Sequence, residues 1–343
     1  MILETERLIL REYTMDDFDA LYEIMSDAET MQHYPAPFDK ERTRQWITWN
    51  SDNYKKYGWG LWAVILKGTE TFIGDCGITL QNIDGQMLPE IGYHINKKYW
   101  RQGFAKESAR SVRDWFFEHT DYNAIYSYMK YTNTASCATA IANGMKKVKE
   151  YDDAKNVISY AYAITRTEWN ELLRFSKATS EHLAEILSLY SDAISTMEAQ
   201  GIHQWDEIYP DRATLEDDIR KQQLFIGKKN GSIAVCFVLN EECDDAYKTG
   251  TWLNPGSRFC VIHRLCVSPR FQRQGVARAT MKHIEEFCRT LHYDSIRLDC
   301  FTQNPYSKKL YDACGYAVTG HADWRKGRFE LREKTLMKIS KNR

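Results

Sequence analysis

The sequence predicts an α/β (α+β) protein of two tandem domains, each with a mixed, twisted sheet flanked by helices. Three observations support this prediction. The chain has 343 residues, about twice the length of a typical domain. Landmark residues recur at a spacing near half that length. Strand-like and helix-like segments alternate in the same order around each set of landmarks.

The repeat rests on three landmarks that recur with an offset of 171 or 172 residues. They are an Asn-x-x-Ser motif, the glycine that follows it, and an Arg-Gln-Gly-x-Ala turn. In the two halves they are Asn133-x-x-Ser136, Gly144 and Arg101–Ala105, and Asn304-x-x-Ser307, Gly315 and Arg273–Ala277. We therefore expect domains at residues 1–168 and 174–343.

Each half predicts the same elements in order. A helix with a threonine N-cap comes first, at residues 16–25 and 181–190. Apolar, β-branched runs then predict strands at residues 61–66, 72–79 and 90–95, and at 225–228, 233–239 and 259–267. After the Arg-Gln-Gly turn, an apolar stripe at helical spacing predicts a long helix. A strand at 124–131 or 295–302 and a short helix ended by Gly144 or Gly315 complete each half.

Composition excludes several function classes. The chain carries 46 Lys and Arg against 47 Asp and Glu, so it lacks the excess of cations that a general nucleic-acid-binding protein needs. Its first eleven residues are too charged for a signal peptide. The longest apolar run is about seven residues, whereas a membrane-spanning helix needs about 20. We expect a cytoplasmic protein without nucleic-acid or membrane partners, and its oligomeric state stays open.

The cysteines do not indicate a metal or disulfide framework. There are nine, an odd number, and no Cys-x-x-Cys occurs. Cys260, His263 and Cys266 have a ligand-like spacing, but they lie in a predicted strand where residues three apart face opposite sides. We expect buried free thiols and no metal.

The second glycine turn has the features of an anion site. A strand leads into Gln272-Arg273-Gln274-Gly275-Val276-Ala277, and this turn opens a helix. The small residues allow close approach to the backbone, and the free N–H groups and dipole of a helix N terminus favour a diphosphate. The alternative is a tight turn without a ligand. The P-loop and Rossmann motifs are absent from the sequence, which disfavours a dinucleotide enzyme.

With these residues the sequence resembles the GNAT acyltransferases, whose acyl-CoA signature is Q/R-x-x-G-x-G/A. Gln272-x-x-Gly275-x-Ala277 matches it fully, and Trp100-x-x-Gly103-x-Ala105 departs at its first position. The Trp variant, the Glu90-Ile-Gly-Tyr segment and the opening TERLILR resemble the branch that includes ribosomal-protein N-terminal acetyltransferases. The resemblance covers nearly the whole chain, as two GNAT domains in tandem.

The resemblance implies acetyl-CoA as co-substrate. It implies that the pantetheine arm pairs with the backbone of the strand before each turn. Asn133 and Asn304 would face this arm, with helix N-capping as the alternative role. The implied CoA-binding residues are Tyr93, Ile95, Arg101, Gln102, Gly103, Phe104, Ala105 and Asn133 in the first domain, and Leu265, Val267, Gln272, Arg273, Gln274, Gly275, Val276, Ala277 and Asn304 in the second.

The resemblance also implies catalytic candidates. In the second domain Tyr311 would protonate the leaving thiolate, with packing as its alternative role. His263 would accept a proton, or be a hydrogen-bonded or substrate-contacting histidine. In the first domain Ala140 stands in place of Tyr311, so Ser136 becomes the donor. Glu90 is the candidate base or amine anchor, with an exposed strand carboxylate as the alternative.

The function that these residues indicate is N-acetyl transfer from acetyl-CoA to a primary amine of a small molecule or a peptide N terminus. We expect direct transfer, with the second domain as the competent site. Aromatic residues near the predicted acceptor side, including Tyr34 and Trp46, line the substrate or belong to the core. The alternative is a CoA-binding sensor or scaffold in which one or both sites are degenerate, since Ala140 replaces a tyrosine.

Overall fold

The computed structural model describes residues 2–154, 156–206 and 208–336. The chain divides into two compact units, Met1–Trp169 and Asn170–Arg343. These are called the first and second unit below. The domain boundaries at 1–168 and 174–343 stay a prediction.

The first unit contains one sheet and four helices within its described residues, and α5 (Arg166–Glu171) lies at its end. Its strands are β1 (Leu3–Glu4), β2 (Leu8–Arg11), β3 (Leu61–Leu66), β4 (Thr71–Ile83), β5 (Gln86–Ile95), β6 (Ala124–Lys130), β7 (Lys146–Asp153) and β8 (Val157–Thr165). Its helices are α1 (Phe18–Met25), α2 (Lys40–Tyr57), α3 (Phe104–His119) and α4 (Thr134–Ala142). The sheet order is β1-β2-β3-β4-β5-β6-β8-β7.

The second unit repeats this plan. Its strands are β9 (Arg174–Lys177), β10 (Leu224–Lys229), β11 (Ser232–Asn240), β12 (Phe259–Val267), β13 (Ser295–Phe301), β14 (Ala317–Trp324) and β15 (Gly327–Thr335). Its helices are α6 (Leu183–Ala199), α7 (Arg212–Arg220), α8 (Val276–Thr290) and α9 (Pro305–Ala313). The sheet order is β14-β15-β13-β12-β11-β10-β9.

Both sheets are mixed in the same way. Neighbouring strands are antiparallel except for one parallel pair in each unit, which is β5 with β6 and β12 with β13. A parallel pair needs a crossover connection. Helices α3 and α8 supply it, because each follows the first strand of its pair and precedes the second.

Helices cover both faces of each sheet, so strand residues are buried on both sides. In β3, Leu61 and Ala63 belong to an apolar cluster with Leu21 of α1. Between them Trp62 faces the other way, and its ring lies 5.0 Å from that of Trp115 on α3. In the second unit two apolar clusters likewise bury α8 and α6 against the sheet. This double burial explains why β3 and β11 read as continuous apolar runs rather than alternating ones.

The structure confirms the predicted fold class and most predicted elements. β3 and β12 have the predicted bounds, and Gly144 and Gly315 follow α4 and α9 with positive φ angles of 82° and 80°. The prediction missed helices α2 and α7. In α2 only Thr43, Ile47, Asn50 and Asn53 are buried, so the buried face is largely polar and gives little apolar periodicity.

Candidate active sites

The parallel strand pair of each unit separates part-way along its length. Within the described residues, β5 pairs with β6 at Glu90 and Tyr126 alone. β12 pairs with β13 from Phe259 to Ile262. Beyond these points β5 and β12 continue, still paired on their other edges with β4 and β11. Among the described residues, one edge of each strand therefore has no neighbouring strand over this part.

The predicted backbone partners of the cofactor lie along these open edges. Tyr93 and Ile95 belong to the separated part of β5, and Leu265 and Val267 to that of β12. One carbonyl is already engaged, since the indole N–H of Trp100 donates to the Ile95 carbonyl oxygen at 2.6 Å. Trp100, the residue that departs from the GNAT signature, therefore has a local structural role.

The strands that carry the open edges, β5 and β12, differ by one β-bulge, which lies in the ladder of β12 with β11. In β12 the register shifts so that Arg264 and Leu265 together oppose Phe237, and Arg264 has φ of 50°. The hydroxyl of Tyr190 donates to the Arg264 carbonyl oxygen at 2.6 Å and holds the bulge. The β4–β5 ladder in the first unit is continuous from Gly74 to Ile83.

Each separated strand leads into a glycine turn at a helix N terminus. Gly103 and Gly275 are the N-cap residues of α3 and α8, with φ angles of 84° and 78°. Arg101 and Arg273 both have φ of 60°. In neither helix does a described side chain cap the N terminus. The first N–H groups therefore remain available, and together with the helix dipole they form a donor set that suits a diphosphate.

The remaining turn residues occupy matching positions in the two units. The side chain of Gln102 donates to the Lys98 carbonyl, and that of Gln274 donates to the Arg270 carbonyl. A Cβ atom built on Gly275 meets no atom within 4 Å. Glycine is therefore required here by its positive φ angle rather than by crowding. Phe104 and Val276, the first residues of α3 and α8, are buried, and Ala105 and Ala277 follow them in the first helical turn.

Asn133 and Asn304 are helix N-caps. Asn133 Oδ1 accepts from the backbone N–H of Ser136 at 3.1 Å, and Asn304 Oδ1 accepts from that of Ser307 at 3.1 Å. The Nδ2 atom of Asn304 also donates to Gln204 at 2.9 Å. The capping role is thus confirmed, and the cofactor-facing role stays a prediction.

Tyr311 lies on α9 in the apolar cluster beneath the second site. Its ring centroid is 6.0 Å from that of Tyr316 in an edge-on arrangement. Burial, and then the nearby Cys300 and Asp299, raise the pKa of Tyr311 above its ordinary value. The phenol therefore holds its proton at neutral pH. Packing is confirmed, and the acid role stays a prediction.

In the first unit a phenol comes from the strand instead of the helix. The hydroxyl of Tyr93 lies 2.8 Å from Ser136 Oγ. Burial raises the pKa of Tyr93 to about 12. In the second unit the matching strand residue is Leu265, whereas Tyr311 occupies the helix position of Ala140. The residues of the strand predict only a backbone role for Tyr93. The paired exchange of large and small residues between strand and helix is the signal that indicates its phenol.

Glu90 is buried, so its interpretation as an exposed strand carboxylate is wrong. It is 7% exposed, where β5 and β6 pair. Burial raises the pKa of Glu90 to about 8, although hydrogen bonds from the Tyr128 backbone and the Thr79 side chain lower it. A carboxyl group that titrates near neutral pH is well matched to proton exchange with an amine.

His263 is a hydrogen-bonded histidine. Its Nε2 lies 2.9 Å from Asn240 Oδ1 and 3.0 Å from the Glu242 carbonyl oxygen. Both partners accept if Asn240 presents its oxygen as placed, so Nε2 carries the hydrogen. Burial, and then the charge of Arg264, lower the pKa of His263 to about 4. His263 is therefore neutral at pH 7, and its role as base stays a prediction.

The aromatic residues expected near the acceptor divide between core and site. Trp59 and Trp62 are core residues. Tyr34 and Trp46 lie beside His94, with ring centroids 5.3 and 5.9 Å away.

Among residues 2–154, 156–206 and 208–336, no group of three His, Cys, Asp or Glu side chains is placed to hold a metal ion. Within the same ranges, no helix has the length and apolar character needed to cross a membrane.

Two family models match the chain in tandem. One, described as an acetyltransferase (GNAT) domain, matches residues 7–146, and the other, the acetyltransferase (GNAT) family, matches residues 184–316. The chain belongs to the GNAT acetyltransferase family. It is therefore an acetyltransferase with one GNAT domain in each unit, and enzymes of this family generally use acetyl-CoA.

The chain is also similar to individual proteins. The chain is 35% identical over 144 residues to the uncharacterized protein YkkB of Bacillus subtilis, covering 42% of this chain and 84% of YkkB. It is 29% identical over 182 residues to the uncharacterized N-acetyltransferase YnaD of the same organism, covering 50% of this chain and all of YnaD. A crystal structure of a GNAT acetyltransferase from Bacillus anthracis has 26% identity and a TM-score of 0.42, covering 48% of this chain and 99% of that one.

The buried Glu90 predicts a pH-dependent stability. The pKa of Glu90 is raised in the folded chain, so folding favours its protonated form. This contribution to stability is complete at acidic pH and is lost as the pH rises through about 8. Between about pH 5 and pH 8 the free energy of unfolding should fall by at most about 1.4 kcal/mol per pH unit. Glu90→Gln should remove this slope.

Urea unfolding at pH 5.5, 7 and 8.5, followed by tryptophan fluorescence, measures the effect. Glu41→Gln on the exposed surface of α2 makes the same charge change and should keep the wild-type slope. Identical pH dependence in Glu90→Gln and the wild type would contradict the raised pKa of Glu90.

Proposed function

We propose that the protein is an N-acetyltransferase that moves an acetyl group from acetyl-CoA to a primary amine, by direct transfer and without a covalent enzyme intermediate. One observation supports this most: in each unit the parallel strands separate in front of a glycine turn that opens an uncapped helix N terminus. A free strand edge leading to a set of backbone N–H donors suits an extended arm that ends in a diphosphate.

The residues that would hold the cofactor follow from this geometry. The open edges of β5 and β12 would pair with the arm, and the turns at residues 101–105 and 273–277 would hold the diphosphate through their N–H groups. Arg101 and Arg273 add positive charge at each turn. When bound, acetyl-CoA supplies the reactive thioester.

Each unit has its own donor for the proton that the leaving thiolate takes up. In the second unit we assign this role to the Tyr311 hydroxyl, which holds its proton at neutral pH. In the first unit the hydrogen-bonded pair of Tyr93 and Ser136 provides it. Ala140 leaves the helix of the first site without a phenol, but Tyr93 supplies one from the strand. This arrangement favours catalysis over a sensor role.

The acceptor is an amine that must lose a proton before it attacks. An α-amine has a pKa near 8, so about a tenth is neutral at pH 7, whereas a lysine-like amine near 10.4 is about 3.4 units away. In the first unit Glu90 would accept this proton or anchor the amine. We also propose a cytoplasmic location, no nucleic-acid partner, and a small molecule or a peptide N terminus as the acceptor.

A panel of amines tests the proposed function directly. The full chain should consume acetyl-CoA with at least one of three classes: peptide α-amines, polyamines and aminoglycosides. Released thiol and acetylated product should appear in equal amounts. Acetyl-CoA binding without turnover on every class would contradict the proposal and favour the sensor alternative.

Gly275→Val should abolish tight CoA binding at the second site. A β-branched residue is strongly disfavoured at a φ of 78°, so the turn must rearrange and its N–H groups must move. The dissociation constant should rise at least about tenfold, which corresponds to about 1.4 kcal/mol. Calorimetric titration with CoA measures it.

Gly231→Val is the matched control for strain. Gly231 has φ of 76°, a Cβ atom there also meets nothing within 4 Å, and it lies in the turn between β10 and β11. This control should bind CoA as the wild type does. Unchanged affinity in Gly275→Val would reject the second glycine turn as the diphosphate site.

Tyr311→Phe, in a chain whose first site carries Gly103→Val, should lower kcat by about 10²-fold and change the KM for acetyl-CoA little. The reason is that a positioned acid contributes to the rate rather than to ground-state binding. Tyr316→Phe removes a neighbouring phenol whose buried hydroxyl has no hydrogen-bond partner among the described residues, and it should keep the parent kcat. Equal kcat in the two variants would remove the acid role of Tyr311.

A further inference from the structure

A chain of hydrogen bonds in the first unit runs from a buried aspartate to a partly exposed tyrosine. Asp75 on β4 and His94 on β5 are cross-strand partners. Asp75 Oδ1 lies 2.8 Å from His94 Nδ1, and His94 Nε2 lies 2.6 Å from the hydroxyl of Tyr34. Asp75 is 0% exposed, His94 7% and Tyr34 39%. Tyr34 is therefore the end of the chain that reaches solvent.

The donors and acceptors fix the position of each proton. Asp75 Oδ1 also accepts from the backbone N–H of His94 at 2.8 Å, and Oδ2 accepts from the Tyr13 hydroxyl at 2.7 Å. A carboxylate has no proton to donate, so His94 Nδ1 must carry one. His94 Nε2 is then an acceptor, and Tyr34 donates to it. The lone pairs of the Tyr34 oxygen remain for an outside donor such as an ammonium group.

The chain lies on the same side of the sheet as the proposed acceptor base. His94 and Glu90 are four residues apart on β5, so their side chains share one face. The Tyr34 phenol is close enough to Glu90 and Tyr128 for their charges to affect it. Burial, and then the Glu90 and Asp75 carboxylates, raise the pKa of Tyr34 above its ordinary value. Tyr34 is therefore a phenol at neutral pH, able to pass a proton on but not to keep a negative charge.

We propose that Tyr34, His94 and Asp75 form a proton relay that deprotonates the acceptor amine in the first unit, and that this acceptor is an α-amine. The inference rests on the proposed N-acetyltransferase function. The ammonium group gives a proton to the Tyr34 oxygen while the Tyr34 proton moves to His94 Nε2. The nitrogen keeps its electron pair for attack, and the positive charge passes to an imidazolium held beside the Asp75 carboxylate.

The second unit provides an internal comparison. In the first unit Asp75 pairs with His94 across the β4–β5 ladder, next to the pair of Gly74 and Ile95. In the second unit the equivalent pair is Cys236 with Cys266, next to the pair of Val235 and Val267. Burial raises the pKa of both thiols, so they are uncharged and cannot replace the aspartate and histidine. The relay therefore belongs to the first unit, on an otherwise equivalent frame.

The relay determines which amine suits the first unit. The relay must take its proton from an ammonium group that gives it up readily. An α-amine, with a pKa near 8, does so more readily than a lysine-like amine near 10.4. The titratable and charged groups around the relay are Tyr13, Arg42, Asp75, Glu90 and Tyr128. With the relay as the base, Glu90 has the anchoring role for the amine, so the variants below change Tyr34 and His94 and leave Glu90 in place.

The test uses the full chain carrying Gly275→Val, so that acetylation reports on the first unit. The acceptors are an alanine tripeptide with a free α-amine, and an Nα-acetylated lysine peptide with a free side chain. We expect at least about tenfold faster acetylation of the α-amine. Between about pH 6 and 8, kcat/KM should rise less steeply with pH than the fraction of neutral amine does, because the relay also uses the protonated amine.

Tyr34→Phe and His94→Gln should each lower kcat at pH 7 by about 10²-fold. The KM for acetyl-CoA should change less than about threefold. In both variants the rate should follow the fraction of neutral amine, because only amine that is already neutral can react. Tyr22→Phe, a phenol removed from α1 outside the relay, should keep the parent rate and pH profile. Nitrogen-15 NMR of the imidazoles should show His94 protonated at Nδ1.

The outcomes separate the two proposals. No acetylation of any amine by the wild-type chain would overturn the proposed function and the relay together. A wild type that is active while the Gly275→Val chain is inactive would overturn the relay alone. A Tyr34→Phe variant with the parent kcat and pH profile would likewise overturn the relay, because a purely structural tyrosine would affect stability and leave the pH profile unchanged.

Discussion

The separation of one parallel strand pair in each unit is the constraint on which the sites depend. A strand edge without a neighbour exposes backbone N–H and C=O groups that need partners. In this protein the open edges of β5 and β12 end at a glycine turn and an uncapped helix. The unpaired strand groups and the unpaired helix groups are thus adjacent, so a single extended, anionic ligand can satisfy both.

The two units keep this frame and differ in the side chains mounted on it. The first unit has a buried phenol from Tyr93 on a strand, and the second has one from Tyr311 on a helix. On the other face, the first unit has Asp75 and His94 where the second has two buried cysteines. A duplicated fold therefore has two different proton environments.

The sequence predicted the frame well because its signals are local. Apolar runs, threonine caps and the Arg-Gln-Gly turn each depend on a few neighbouring residues, and β3 and β12 have the predicted bounds. The site chemistry was less accessible, since it depends on strand register. Asp75 and His94 are 19 residues apart and meet only through the β4–β5 ladder. The burial of Glu90 likewise depends on β6, which lies some 30 residues further along the chain and pairs with it.

Calorimetric titration of the wild-type chain with CoA measures the central claim most directly, because it counts the sites. Two equivalents bound per chain are expected, since each unit has an open strand edge leading to an uncapped glycine turn. One equivalent would show that the shared frame is insufficient in one unit, and no binding would contradict the account as a whole.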